Sequence, residues 1–283
     1  MVPPISLNTY SSFSLRALSS LVLGPIVLAA VWFGGNFFIG LLFLIALIVG
    51  WEWGHLVTHK SMKLIAVISA SMSWLGILLM AWKGDSSSIV VYALALLTVS
   101  LSLGVYLRFS TQESWRTCLW ATAGMAYLSF CTSAMSWLRL SPGYDGTWLC
   151  LWLLAVVWAT DIAAYLCGRI IGGPKLAPRI SPQKTWSGFI GGTLFGVIVS
   201  VAITFTHLQS IWLFLLLGGV IAIAAHLGDL LESTAKRYFG VKDTGRLIPG
   251  HGGLLDRIDG LVMAAVVFAA LIWLEREGIW SWV

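Results

Sequence analysis

The stretch His226–Asp259 reads HLGDLLESTAKRYFGVKDTGRLIPGHGGLLDRID. Five acids (Asp229, Glu232, Asp243, Asp256, Asp259) and five bases (Lys236, Arg237, Lys242, Arg246, Arg257) crowd into it, with His226 and His251 beside them. The chain around it is built differently. Of 283 residues, 58% are hydrophobic and 10% charged, and mean hydropathy is +0.89. A soluble domain carries about 25% charged residues, so this chain has too little polar material to cover a solvated surface. The composition predicts an all-α, polytopic integral membrane bundle. Dense charge in such a chain belongs at a membrane surface, and acids interleaved with bases there predict a metal and phosphate site.

Working outward, hydropathy marks nine candidate spans, near residues 16–34, 36–54, 64–82, 89–107, 117–138, 147–167, 188–208, 211–231 and 258–275. Each approaches the roughly 20 apolar residues that cross a bilayer. The run after Arg16 is longer than a signal-peptide core and lacks a clean cleavage site, so it reads as an uncleaved first helix. The connections are short. The expectation is one integral membrane domain, 1–283, with N-terminal spans over 16–138 and a catalytic region over 147–275. The catalytic region includes loops 168–187 and 232–257.

With nine spans, 14 of the 17 Lys and Arg fall on one side, all except Lys83, Arg139 and Arg276. The positive-inside rule then puts the N-terminus and both charged loops in the cytoplasm and the C-terminus outside. The pI near 9.1 reads as this topology, and nucleic acid is not an expected partner. Cys118, Cys131, Cys150 and Cys167 form no CxxC pair and read as small buried hydrophobes. Gly188, Gly192 and Gly196 recur every four residues in the seventh span, a spacing that brings helices close.

Certain ionisable residues stand out against their apolar settings. Asp161 lies about 10 Å inside the sixth span, counting 1.5 Å per residue from Gly168, where a charge is costly and rarely faces lipid. Asp229 ends the eighth span, and Ser233, Lys236 and Arg237 follow at plus four, seven and eight, on its face if the helix continues. Glu232 alone reads as a solvated interfacial charge. Asp256 and Asp259, three apart, open the ninth span on one face. Carboxylates at the ends of adjacent helices suit a hard cation such as Mg²⁺ with phosphate as co-ligand. The turn Pro249-Gly250-His251-Gly252-Gly253 lets backbone N–H groups approach an anion at a helix start. In the sixth loop, Lys184 and Thr185 precede a helix N-terminus, a natural phosphate position. Glu52, in Trp51-Glu52-Trp53 with His55 three residues on, reads either as an interfacial carboxylate among Trp anchors or as a support beneath the site. Neither GxxxxGK[ST] nor GxGxxG occurs, which excludes Walker and Rossmann sites.

Together, Ser233-x-x-Lys236-Arg237, Lys242-Asp243-x-Gly245 and Pro249-x-His251-Gly252-Gly253-x-x-Asp256-Arg257-x-Asp259 resemble the signature of the phosphatidate cytidylyltransferases, or CDP-diacylglycerol synthases, of bacterial type. The resemblance extends to His226-Leu227-Gly228-Asp229, Asp161-x-x-Ala164-Tyr165, Ser181-Pro182-x-Lys184-Thr185-Trp186 and Trp51-Glu52-Trp53-Gly54. It is thin over 56–146. Ala235 stands where a larger apolar residue is usual, but no carboxylate or base of the signature is missing. The resemblance implies the reaction CTP + phosphatidate → CDP-diacylglycerol + pyrophosphate, in phospholipid synthesis at the bacterial inner membrane. It implies Mg²⁺ on an aspartate pair mapped to Asp229 and Asp256, with Asp161 beside them or holding a second cation. Lys236 and Asp259 join the catalytic set. Ser233, Arg237, Lys242, His251, Arg257, Lys184 and Asp161 join the substrate-binding set. A homodimer is a further expectation from the family. Two other readings fit parts of the pattern. A CTP-dependent lipid kinase would transfer the γ-phosphoryl instead. A transporter would account for Asp161, but the charges gather at one membrane face, which disfavours alternating access.

Overall fold

The structure, a computed structural model, describes residues 8–58, 62–83, 86–110, 112–140, 145–204, 211–245 and 252–276. Nine helices appear among them: α1 (Asn8–Phe33), α2 (Gly35–Val57), α3 (Met62–Lys83), α4 (Ser86–Ser110), α5 (Trp115–Leu140), α6 (Gly146–Ile170), α7 (Trp186–Thr204), α8 (Ile211–Tyr238) and α9 (Leu255–Arg276). They overlap the nine apolar runs of the sequence. Five of them, α2, α6, α7, α8 and α9, are long and apolar enough to cross a membrane by length and composition. The chain is therefore an all-α, multi-pass membrane protein.

The α6–α7 connection departs from the all-helical expectation. Two short strands, β1 (Lys175–Ala177) and β2 (Ser181–Thr185), pair antiparallel. Pro178 and Pro182 bar a helix through this loop, and the hairpin pairs backbone groups that would otherwise need other partners. Thr185 closes the hairpin, and its Oγ1 accepts the Gly188 amide at 3.1 Å, capping the first turn of α7.

Helices α6 to α9 pack in succession, and α5 joins them through α9 to a second group containing α2, α3 and α4. Trp152 of α6 centres the first group. It is buried against Phe268 of α9 (ring centroids 4.9 Å) and Phe214 of α8 (6.1 Å), an arrangement worth more than its area alone. The α7 glycines do what their spacing predicts. A Cβ at Gly188 would stand 2.7 Å from the Ala164 carbonyl oxygen, and one at Gly192 2.8 Å from that of Thr160. Neither position has room for a side chain, so α7 lies backbone to backbone on α6.

The same device joins α8 to α9. A Cβ at Gly228 would meet the Asp259 carbonyl oxygen at 2.5 Å and Met263 Cβ at 2.9 Å. One at Gly260 would lie 3.2 Å from the Ala225 carbonyl oxygen. This close approach puts Asp229, next to Gly228, beside Asp259, next to Gly260.

Candidate active site

Asp229, Glu232 and Asp259 converge where α8 and α9 touch, with one oxygen of each within 4.8 Å of the others. Asp229 and Asp259 are half-buried and Glu232 is buried. Like charges this close repel strongly away from bulk water, and two lysines offset the repulsion. Lys184, carried in by β2, forms an ion pair with Asp229. Lys236, one turn past Glu232, lies 2.5 Å from its Oε2 and 2.7 Å from Asp256 Oδ1. Ser233 Oγ donates to Asp229 Oδ1 at 3.4 Å. Asp161 is exposed despite its depth in α6 and has Asp229 and Lys184 as charged neighbours.

Asp256 has a different setting. Its Oδ2 accepts the Gly253 amide (2.8 Å), the Thr244 amide (3.0 Å) and the Thr244 hydroxyl (3.1 Å), while Oδ1 takes the Lys236 ammonium. This carboxylate ties the 241–245 loop to the start of α9. The structure thus groups Asp229 with Asp259 and Glu232, and links Asp256 to that group through Lys236. Glu232 is the residue the sequence left as a solvated charge, yet it is 4% exposed. Its place three residues after Asp229 and four before Lys236 is the signal that marks it as part of the same face.

Glu52 is likewise buried. From the last turns of α2 it accepts the Leu254 and Leu255 amides, each at 2.8 Å, capping α9 from a distant part of the chain. Of the two readings the sequence left open, the support beneath the site is the one the geometry bears out. The Gly252–Gly253 turn, with φ +84° at Gly252, presents the Gly253 N–H to the Asp256 carboxylate, and the Leu254 and Leu255 amides that follow it go to Glu52. Removing the Glu52 carboxylate orphans two amides, each costing about 1–3 kcal/mol. Glu52→Ala is expected to lower the apparent melting temperature in detergent by about 5–10 °C. Glu52→Gln, which keeps one acceptor oxygen, should recover part of that loss.

The remaining sequence candidates are spread around this centre. Arg237 is exposed, and its guanidinium is held by backbone carbonyls, donating to Ile180 (3.1 Å) and Val241 (3.2 Å). It ties the β-hairpin to the loop after α8. Lys242 and Arg257 are exposed at the same end. His251 lies outside the described residues, as do Arg246, Pro249 and Gly250. His226, one turn before Asp229, is buried with its ring 4.8 Å from that of Phe189.

A cluster of three carboxylates with two lysines, at one end of a membrane bundle, has the makings of a cation and phosphate site. The sequence profile described as the cytidylyltransferase family matches residues 14–274. The chain belongs to the cytidylyltransferase family. Relatives of this cytidylyltransferase-family chain include a phosphatidate cytidylyltransferase of Brucella suis biovar 1, 40% identical over 263 residues, covering 91% of this chain and 92% of the relative. One of Staphylococcus haemolyticus is 34% identical over 267 residues, covering 91% and 98%. The match spans both helix groups and the whole carboxylate cluster.

Proposed function

We propose that this chain transfers the cytidylyl group of CTP to phosphatidate, giving CDP-diacylglycerol and pyrophosphate. The observation that carries the reading is the junction of Asp229, Glu232 and Asp259 with Lys184 and Lys236, within a cytidylyltransferase-family chain that spans a membrane. A phosphate oxygen of phosphatidate attacks the α-phosphorus of CTP in line. The new bond joins that oxygen to the α-phosphorus, the α–β bridging bond breaks, and pyrophosphate leaves. No protein nucleophile is required, so the chain's part is positioning and charge stabilisation.

The donor set fits a hard divalent cation such as Mg²⁺. It is all oxygen, compact, and more negative than its two lysines neutralise. Asp229, Glu232 and Asp259 would hold the ion, and Asp161 is placed to serve a second. When bound, the cation supplies charge neutralisation on the triphosphate. Lys184, which β2 delivers from outside the α8–α9 junction and which pairs with Asp229, is placed to bind a nucleotide phosphate. Lys236 holds Glu232 and Asp256 in place, and Asp256 holds the 241–245 loop. Lys242 and Arg257, at the same end, provide further positive charge for phosphates.

Incubating purified protein with CTP labelled in the cytidine ring, phosphatidate and Mg²⁺ should place label on lipid. Label supplied only on the γ-phosphate should leave with pyrophosphate. Transfer of the γ-label to lipid instead would establish a kinase. Chelation of divalent cations should abolish transfer, and added Mg²⁺ should restore it. Lys184→Ala is expected to reduce kcat/KM for CTP by about 10–100-fold, the worth of one charge-assisted phosphate contact.

The finer location follows from the charge asymmetry of the loops. The chain sits in a bacterial inner membrane with its N-terminus and catalytic cluster in the cytoplasm, where CTP is, and its C-terminus in the periplasm. A phosphatase reporter fused after Val283 should be active in the periplasm; activity of a cytoplasm-dependent reporter at that position would reverse the orientation.

A further inference from the structure

A cleft of about 1230 Å³ opens between α2, α3 and the 239–245 segment, apart from the carboxylate cluster. Its lining changes character along its length. At one end are His55, Lys63, Lys242 and Asp243, with the apolar Leu56 and Val241 beside them; at the other are Leu47, Ile48, Ala66 and Val67. The helices explain the gradient. From Leu47 to His55 is eight residues of α2, about 12 Å. From Lys63 to Val67 is four residues of α3 running the opposite way, about 6 Å. Both helices are therefore polar at the catalytic end and apolar deeper in the bundle. Val67 is 57% exposed, so the apolar end opens sideways toward acyl chains.

The charges at the mouth favour an anion. Lys63 and Lys242 face one exposed acid, Asp243, while the Glu52 carboxylate is taken up by the Leu254 and Leu255 amides. The cleft also shares a wall with the active site. Thr244 lines the cleft and gives its amide and hydroxyl to Asp256. A headgroup held at the mouth thus lies against the loop that Asp256 fixes.

We propose that this cleft is the docking site of the lipid substrate. Its phosphomonoester lies at Lys63, Lys242 and His55, and its acyl chains run along Leu47, Ile48, Ala66 and Val67 while remaining in the bilayer. The inference rests on the cytidylyltransferase reading for the identity of the lipid, but its location stands on the cleft. It makes α2 and α3, which carry none of the cluster carboxylates, a substrate-specific part of the enzyme.

Two measurements on the full-length protein test it. In mixed micelles, Lys63→Ala and, separately, Val67→Trp should raise the KM for phosphatidate about tenfold, leaving the KM for CTP within twofold. Leu194→Trp, at an exposed position on α7, should change neither. Unchanged phosphatidate KM in both cleft variants, or equal rises in both KM values, would overturn the proposal. In phosphatidylcholine nanodiscs, phosphatidate carrying a photoreactive acyl chain should label peptides spanning 47–56 or 63–67. Unlabelled phosphatidate should compete and phosphatidylglycerol should not. Label elsewhere, or equal competition by phosphatidylglycerol, would overturn it. A wild-type protein that labels in the cleft yet forms no lipid-linked cytidine would instead sink the reaction assignment and leave the cleft standing.

Discussion

Asp259→Asn is expected to lower cytidylyl transfer by at least about a hundredfold, on the order of 3 kcal/mol of transition-state stabilisation. Asn is nearly isosteric, so the α8–α9 contact made by Gly228 against the Asp259 backbone is preserved. What disappears is one negative charge from a cluster whose oxygens lie within 4.8 Å of one another. Two consequences separate this from a folding defect. The variant should be at least as stable as the parent without divalent cation, because a repulsive carboxylate beside Asp229 and Glu232 has been neutralised. It should also show a smaller rise in melting temperature with added Mg²⁺ than the rise expected of the parent, because ligand stabilisation scales with affinity. Asp229→Asn should match it in activity and additionally free Lys184 from its ion pair. Asp256→Asn behaves differently, because that carboxylate is occupied by Lys236, Thr244 and Gly253. Its loss should loosen the 241–245 loop, so stability is expected to fall together with activity. Turnover of Asp259→Asn within tenfold of the parent would remove Asp259 from the catalytic set.

The helices were legible because each coincides with an apolar run, five of them long and apolar enough to cross a bilayer, and the glycine period of α7 already named the face that meets α6. The charged end, where the carboxylate cluster lies, was legible because charge in so apolar a chain has few places to go. Pairing was harder to read. Asp256 and Asp259 are equivalent by spacing, three apart at the start of one helix. They part company only because Gly228 brings α8 onto the Asp259 backbone, while the Gly252–Gly253 turn curls the chain onto Asp256. That choice is tertiary, and helical periodicity carries no information about it. Glu232 was legible in principle: positions 229, 232, 233 and 236 form one stripe, and a stripe that buries Ser233 buries Glu232 too. Glu52 is 202 residues from the Leu254 amide it caps, and a carboxylate between two tryptophans says only that something nearby is polar. The hairpin at 175–185 is short and rich in proline, too brief for its alternation to stand out.

Lys236→Met should be the most destabilising single substitution at this junction. The ammonium lies between Glu232 and Asp256, at 2.5 and 2.7 Å, with the three side chains 12%, 5% and 6% exposed in that order. Methionine fills similar volume and keeps the helix, so packing is retained and the charge alone is removed. Two buried carboxylates are then left without their shared cation, and breaking such a set from one side costs about 3–5 kcal/mol. For a chain of this size that corresponds to a fall of about 10 °C in apparent melting temperature in detergent. The cause is testable by subtraction. Glu232→Gln placed on Lys236→Met removes one of the stranded charges and should return about half of the lost stability, although Glu232→Gln alone, which discards a partner of an intact Lys236, should be destabilising. That reversal of sign is the signature of a charge-balanced triad. Additive effects in the double variant would mean that the lysine acts through packing, and its link between Asp256 and the carboxylate cluster would then carry no energy.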